Sequence, residues 1–159
     1  MEPPIDRALR EAWATGDVAG VIDAVKRGAD PDAKSNGVPL IVAATIGGEA
    51  RLVEALVAAG ADVNARNPVT DGATAMMHIA ALPESDGGHL RVCELLLAAG
   101  ADTSAKDNEG RTALDHAALS GNGKVVRVLK ERGAECSAHT ARVLDGRESD
   151  HREGKWWSR

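Results

Sequence analysis

Phenylalanine and tyrosine are absent from this chain, and its aromatic residues are Trp13, Trp156 and Trp157. Large single cores draw much of their bulk from aromatic rings, so a thick globular core is not expected. The two cysteines, Cys93 and Cys136, are too few for a disulfide framework. No run approaches about 18 uninterrupted apolar residues, so no membrane helix is expected. The opening Met-Glu-Pro-Pro-Ile-Asp has neither a positive flank nor an apolar stretch, so no export signal is expected. A reducing cytoplasmic setting follows as the default. Positive charge is in deficit, with a net charge of −5. That argues against nucleic acid as the partner, because phosphate binding needs a basic surface.

What remains is 159 residues, 43% of them hydrophobic, in which Ala, Val, Leu and Ile dominate. Such side chains suit thin layers of closely approaching helices. The 17 glycines would be costly inside helices. Many recur in register. Gly-Ala-Asp stands at Gly28, Gly60 and Gly100, and Gly-Ala-Glu at Gly133. The steps between them are 32, 40 and 33 residues. A recurrence on this scale marks one structural unit repeated.

The last unit shows the plan. Asp107, Asn108 and Gly110 signal a turn, and Thr112 is placed to cap a short helix running through Ala118. Gly121 ends that helix. A second helix over Lys124 to Arg132 carries Val125, Val126, Val128 and Leu129 at helical spacing, and Gly133 stops it. The second unit repeats this with Pro39 to Ala44, Gly47-Gly48 and Leu52, Val53, Leu56, Val57. The third has Thr74 to Ala80, then Gly88-His89 and Leu90 to Leu97; the first has Ala8 to Ala14, Gly16 and Val18 to Val25. Such a helix pair cannot bury its own apolar face, so neighbours must stack.

These features, Gly110-x-Thr112-Ala-Leu114, Gly88-His89, the paired branched aliphatics and Gly60-Ala61-Asp62-Val63-Asn64-Ala65, resemble the ankyrin repeat family. The resemblance spans roughly residues 6 to 138. It implies an all-α helical repeat solenoid with β-turn fingers. Residues 1–138 form the repeat domain, with units at about 6–34, 35–66, 67–106 and 107–138. Residues 139–159 form an extension that is capping or partly disordered. The family's Thr-Pro-Leu-His signature is intact nowhere; its His position holds Arg10, Val42, Met77 and Asp115. In the family that His bonds to the neighbouring repeat, so each junction here must be secured differently.

The third unit is long, 26 residues from Thr74 to Gly100 against 21 from Thr112 to Gly133. Five extra residues fall around Pro83–Gly87, where a protruding loop is expected because Pro83 cannot continue a helix. Two more fit the turn Asn67–Asp71. In the extension, Thr140 is placed to cap a vestigial helix over His139 to Gly146, with Val143 and Leu144 packing back. Trp156-Trp157 suits either a cover for the last repeat or a partner peptide.

Catalytic and metal chemistry find little support. His89 and Cys93 are four apart on one helix, but a zinc site needs three or four ligands. Cys93 also stands where the last unit has Val126, as a buried small hydrophobe would. His78 and His116 occupy equivalent positions about 10 Å apart, too far to share a metal. They read as solvated or groove-lining. Cys136 and His139 lack an orienting group or an oxyanion site. No phosphate loop is present. No enzyme activity, metal or cofactor is expected.

The resemblance implies a non-catalytic module that binds a protein partner through a concave face and fingers. The finger residues are Lys34, Asn36, Arg66, Lys106, Asn108, Glu109 and Arg111. His78, Leu82, Leu119 and Ser120 line the first-helix side, and Glu84 and Asp86 belong to the inserted loop. Lys34, Arg66 and Lys106 recur one per unit as a basic column, which suits an acidic partner segment; balanced surface charges are the plainer reading. The chain itself is expected to be monomeric. A narrower reading is a small regulator or immunity-type inhibitor of one enzyme. An enzymatic or metal site at Cys93 and His89 is the alternative from another class.

Overall fold

Short helices separated by obligatory turns set the architecture. The computed structural model describes residues 4–83, 87–138, 140, 141 and 144. Among these are four helix pairs: α1 (Pro4–Thr15) with α2 (Val18–Lys26), α3 (Leu40–Ile46) with α4 (Ala50–Ala58), α5 (Ala75–Ala81) with α6 (Gly87–Ala98), and α7 (Ala113–Ser120) with α8 (Gly123–Glu131). The first helices α3, α5 and α7 pack side by side. Behind them α2, α4, α6 and α8 form a second layer. This is an all-α repeat array.

The core lies between the layers and continues from pair to pair. Leu9, Ile41, Met76 and Leu114 hold equivalent positions in the first helices, and each is at most 2% exposed. Opposite them, Val21, Val53, Cys93 and Val126 are each at most 1% exposed. Fully buried Ala75, Ala80 and Ala117 let the helices approach closely. That close approach is why the array needs no Phe or Tyr.

Each second helix ends at a glycine in the left-handed region: Gly28, Gly60, Gly100 and Gly133 have φ between +73° and +97°. At Gly60 the amides of Gly60 and Ala61 bond back to Val57 and Leu56. This closes the helix end and turns the chain toward the next finger.

The fingers are hairpin-like. In the first, β1 (Lys34–Ser35) pairs antiparallel with β2 (Val38–Pro39) across Asn36-Gly37. Both turn residues have positive φ, +51° and +83°, as a type I′ turn requires. In the next finger Asn67 pairs with Ala73, and in the last the Asp107 amide bonds to Arg111 O. The middle finger is therefore two residues longer than the last, as the interval predicts.

The inserted link differs in part from expectation. α5 stops at Ala81 and Leu82 turns extended, with ψ +141°. Gly87 and Gly88 are helical, so α6 has 12 residues where α4 and α8 have nine. Part of the insertion thus lengthens the helix, which satisfies backbone groups that a loop would leave to solvent. Glu84 and Asp86 lie outside the described residues, as do Val143 and Trp156-Trp157.

Past α8, Leu144 is 2% exposed and packs onto the core. Ser137, not Thr140, caps the helical residues that follow: its hydroxyl accepts from the Thr140 amide at 3.3 Å. Thr140 is instead buried, at 3% exposure. Ser137 wins because its own amide and hydroxyl are held by Asp115 at 2.9 and 2.8 Å.

Candidate functional site

The surface between the first helices and the fingers is built by polar contacts that recur down the array. At the base of each finger an Asp turns back on itself. Asp30, Asp62 and Asp102 each accept, through Oδ1, the amide two residues on, at 2.8–2.9 Å. Each of those Asp residues donates its own amide to the preceding unit: Asp30 to Asp6 at 3.2 Å, Asp62 to Asp32 at 2.7 Å, and Asp102 to Asn64 at 2.8 Å. Local turn and junction bond alternate, and the result is a ladder along the array. The signal was legible as Asp-x-Asp, Asp-x-Asn and Asp-x-Ser after each Gly-Ala, although its role was not inferred.

Further bonds secure the junctions where the family's His is missing. Ser120 donates to Ala80 O at 2.7 Å and Asn122 Nδ2 to Leu82 O at 3.0 Å. Asp115, 1% exposed, holds the last junction. Its Oδ2 accepts the Thr112 amide at 2.8 Å, and its Oδ1 accepts from Ser137. Burial alone would raise the Asp115 carboxyl; hydrogen bonds from Thr112, Thr140 and Ser137 outweigh it and hold the pKa below its ordinary value.

His78 and His116, expected to be solvated or groove-lining, are half-buried. Each latches a finger to its first helix. His116 Nε2–H donates to Asp107 Oδ2 at 2.8 Å, and Arg111 Nε donates to the same oxygen at 3.0 Å. Asp107 Oδ1 accepts the Glu109 and Arg111 amides. The Asp107 side chain is 1% exposed. Burial opposes its ionisation, but this set of donors prevails and pulls the carboxyl down to about 2. His78 Nε2 faces the Thr70 hydroxyl at 3.0 Å and the Asn67 amide nitrogen at 3.4 Å. The Thr70 hydroxyl can donate or accept, but the Asn67 NH2 can only donate, and its orientation is set by the Val69 amide donating to Asn67 Oδ1 at 3.0 Å. This contact favours an accepting Nε2 and the neutral Nδ1–H tautomer. Burial first, and His116 second, lower the His78 pKa.

The basic column is not uniform. Lys34 and Lys106 are exposed. Arg66 donates to Gly72 O at 3.2 Å within its own finger. Arg111 pairs with Asp107 and, at 2.7 Å, with Glu109. A surface hollow brings Lys34 and Arg66 together with Asp32, Asp62 and Asn64. Carboxylates therefore interleave with the cations. Asn36 and Asn108 are exposed on the fingers, and the Asn108 amide bonds to Asp71 O at 2.8 Å, which ties two fingers together.

On the helix side, Leu82 is half-buried and Leu119 is 62% exposed. Ile46, which holds the position equivalent to Leu119 two units earlier, is 46% exposed. Ala14 and Ala81 hold that position in the other units and are exposed as well. The row was missed because only comparison of exposure across units reveals it.

Cys93 is fully buried, its thiol raised to about 11 by burial and set 3.8 Å from Met76 Sδ. His89 lies against Gly48, its Nε2 3.4 Å from Ile46 O. Neither cysteine is in a disulfide. Among the described residues no three His, Cys, Asp or Glu side chains are grouped to hold a metal, and no helix is long and apolar enough to cross a membrane.

A family model described as ankyrin repeats (3 copies) matches residues 20–140, which starts within α2 and runs past α8. No match to a curated protein was found.

Proposed function

We propose that this chain, which belongs to the ankyrin repeat family, is a non-catalytic module that grips one protein partner between its first helices and its fingers. Ankyrin repeats are generally protein–protein interaction modules. The observation that carries the reading for this chain is the exposed row Ala14, Ile46, Ala81 and Leu119 beside latched fingers. Large aliphatic side chains exposed at equivalent positions of a rigid array suit the apolar centre of an interface. Lys34, Asn36, Lys106, Asn108 and Glu109 supply a polar rim, and Arg66 and Arg111 contribute through fingers they already brace. The chain acts as a monomer in the cytoplasm, with Cys93 and Cys136 reduced.

The test begins with affinity capture of the partner from native cells and its identification by mass spectrometry. Purified partner is then titrated against the double variant Ile46→Glu with Leu119→Glu. The expected loss is at least tenfold in affinity, or ~1.4 kcal/mol, with unchanged circular dichroism. Unchanged affinity would remove this face as the binding site. A triple Ala variant at Lys34, Arg66 and Lys106 should flatten the salt dependence if the partner segment is acidic.

A further inference from the structure

α3, α5 and α7 pack side by side, whereas α1 packs chiefly on α2 of its own unit. Trp13 accounts for this. It stands where the later first helices carry the smaller Thr45, Ala80 and Ala118, all buried. An indole there holds α1 off the close approach that small residues allow. The first junction is left with a hollow of about 160 Å³. Trp13, Val18 and Val21 line it from the first unit, and Ala43, Ala44 and Leu52 from the second. Ala43 lies one turn before Ile46 on α3, so the hollow opens beside the exposed aliphatic row. Its lining holds one charged residue, Glu49. Glu49 is exposed, precedes α4 without a side-chain capping bond, and makes no ion pair among the described residues. Its side chain lies against Gly47 at the rim. Arg51, two residues on, lines a separate hollow between α2 and α4.

We infer that this hollow is an anchor subsite for one apolar side chain of phenylalanine size, flanked in the partner's chain by a basic residue. Size sets the first part. Small-molecule and cofactor sites run from roughly 300 Å³ upward, whereas a dry apolar cavity of about 150 Å³ takes a single benzene ring. A phenyl ring entering between α1 and α3 meets the Trp13 indole with Val18, Val21 and Leu52, and regains the packing that the splayed helix forfeits. This chain has no Phe or Tyr, so a second copy offers no phenyl ring to the space. Charge sets the second part. A Lys or Arg beside the ring reaches Glu49 at the rim and pairs with it, while a carboxylate there meets repulsion. Asp17, which follows the lining residue Gly16, adds charge of the same sign at that edge.

This inference rests on the protein-binding reading above and specifies one anchor of its partner. It is tested with three short synthetic peptides capped at both ends: Ser-Lys-Phe-Lys-Ser, the same with Ala for Phe, and the same with Gln for both Lys. Each is titrated at low salt into the ¹⁵N-labelled full chain and followed by two-dimensional NMR. The Lys-Phe-Lys peptide should give saturable shifts at the Trp13 indole and the Gly16, Gly47 and Glu49 amides, with a dissociation constant near or below ~1 mM. The Ala peptide should bind at least about tenfold more weakly, since it buries no ring. The Gln peptide should bind about threefold more weakly, as loss of an exposed ion pair predicts. Glu49→Gln should abolish the difference between the Lys and Gln peptides. Ala43→Leu should fill the hollow and weaken the Phe peptide about tenfold, with the thermal midpoint unchanged or raised. Should Ala43→Leu instead lower the midpoint, Glu49→Gln and the peptide series decide. Equal binding of the Phe and Ala peptides, equal binding of the Lys and Gln peptides, or no saturable shift with any peptide would overturn it. So would shifts of these same amides with protein concentration alone, as self-association on this face gives. A natural partner that binds wild type and Ala43→Leu equally, yet loses affinity at Ile46 and Leu119, would reject this subsite and leave the module reading standing.

Discussion

Asp115 works as a two-sided acceptor. Its Oδ2 takes the Thr112 amide and its Oδ1 takes the Ser137 amide and hydroxyl. Asparagine has the same shape but accepts on one side only, so Asp115→Asn turns an NH2 toward donors. The expected cost is about 2–3 kcal/mol in urea denaturation, the range for breaking buried charged hydrogen bonds. A second contrast lies at the equivalent threonines. Thr112 Oγ1 accepts from the Asp115 amide at 3.3 Å and lies 3.0 Å from Glu135 O. The Thr74 hydroxyl faces the Met77 amide in the same arrangement but out of hydrogen-bond geometry, and it is buried with no other partner among the described residues. Thr112→Val should therefore cost about 1–2 kcal/mol. Thr74→Val should be neutral or stabilise by up to ~1 kcal/mol, since it removes a desolvated, unbonded group. Equal losses at the two sites would contradict this account.

At the scale of elements, the first finger rests on its turn. Asn36 has φ +51°, which Asn tolerates through its short polar side chain. Asn36→Val should cost about 1–2 kcal/mol and raise hydrogen exchange at Lys34 to Pro39, whereas Asn36→Gly should leave both nearly unchanged. The elements themselves were legible in sequence, and for a stated reason. Periodic aliphatics mark a buried helix face, and a glycine must stand where φ is positive, so Gly60 and its equivalents announce each helix end. The finger latches were less legible. His78 with Thr70, and His116 with Asp107, join residues eight and nine apart across a turn, and no local pattern encodes such a contact.

For the whole molecule, pH sensitivity comes from these same contacts. His78 has a lowered pKa, so the unfolded chain binds its proton more readily than the native one. Its contribution is complete above the ordinary value of 6.5 and is lost as pH falls from there through the lowered native value. His78→Gln should flatten stability against pH in that window, read by thermal unfolding at a series of pH values. Asp107 acts lower. Its contribution is complete above the ordinary 3.8 and disappears as pH falls toward about 2. Asp102 and Asp115, also lowered, lose theirs in the same direction. A profile that falls first in the histidine window and again in the carboxylate window is expected, and Asp107→Asn should diminish the second fall alone.

The ladder of aspartates has a mechanical consequence. Its rungs join successive units along one line at the finger bases, so tension between the ends is carried by them in series. A chain of links under load yields at its weakest. The rung from Asp30 to Asp6, at 3.2 Å, is longer than the next two, at 2.7 and 2.8 Å, while the far end is riveted by Asp115. Pulled from both ends, the array should peel from α1 inward, shedding the wall that carries Trp13 before the remaining units part.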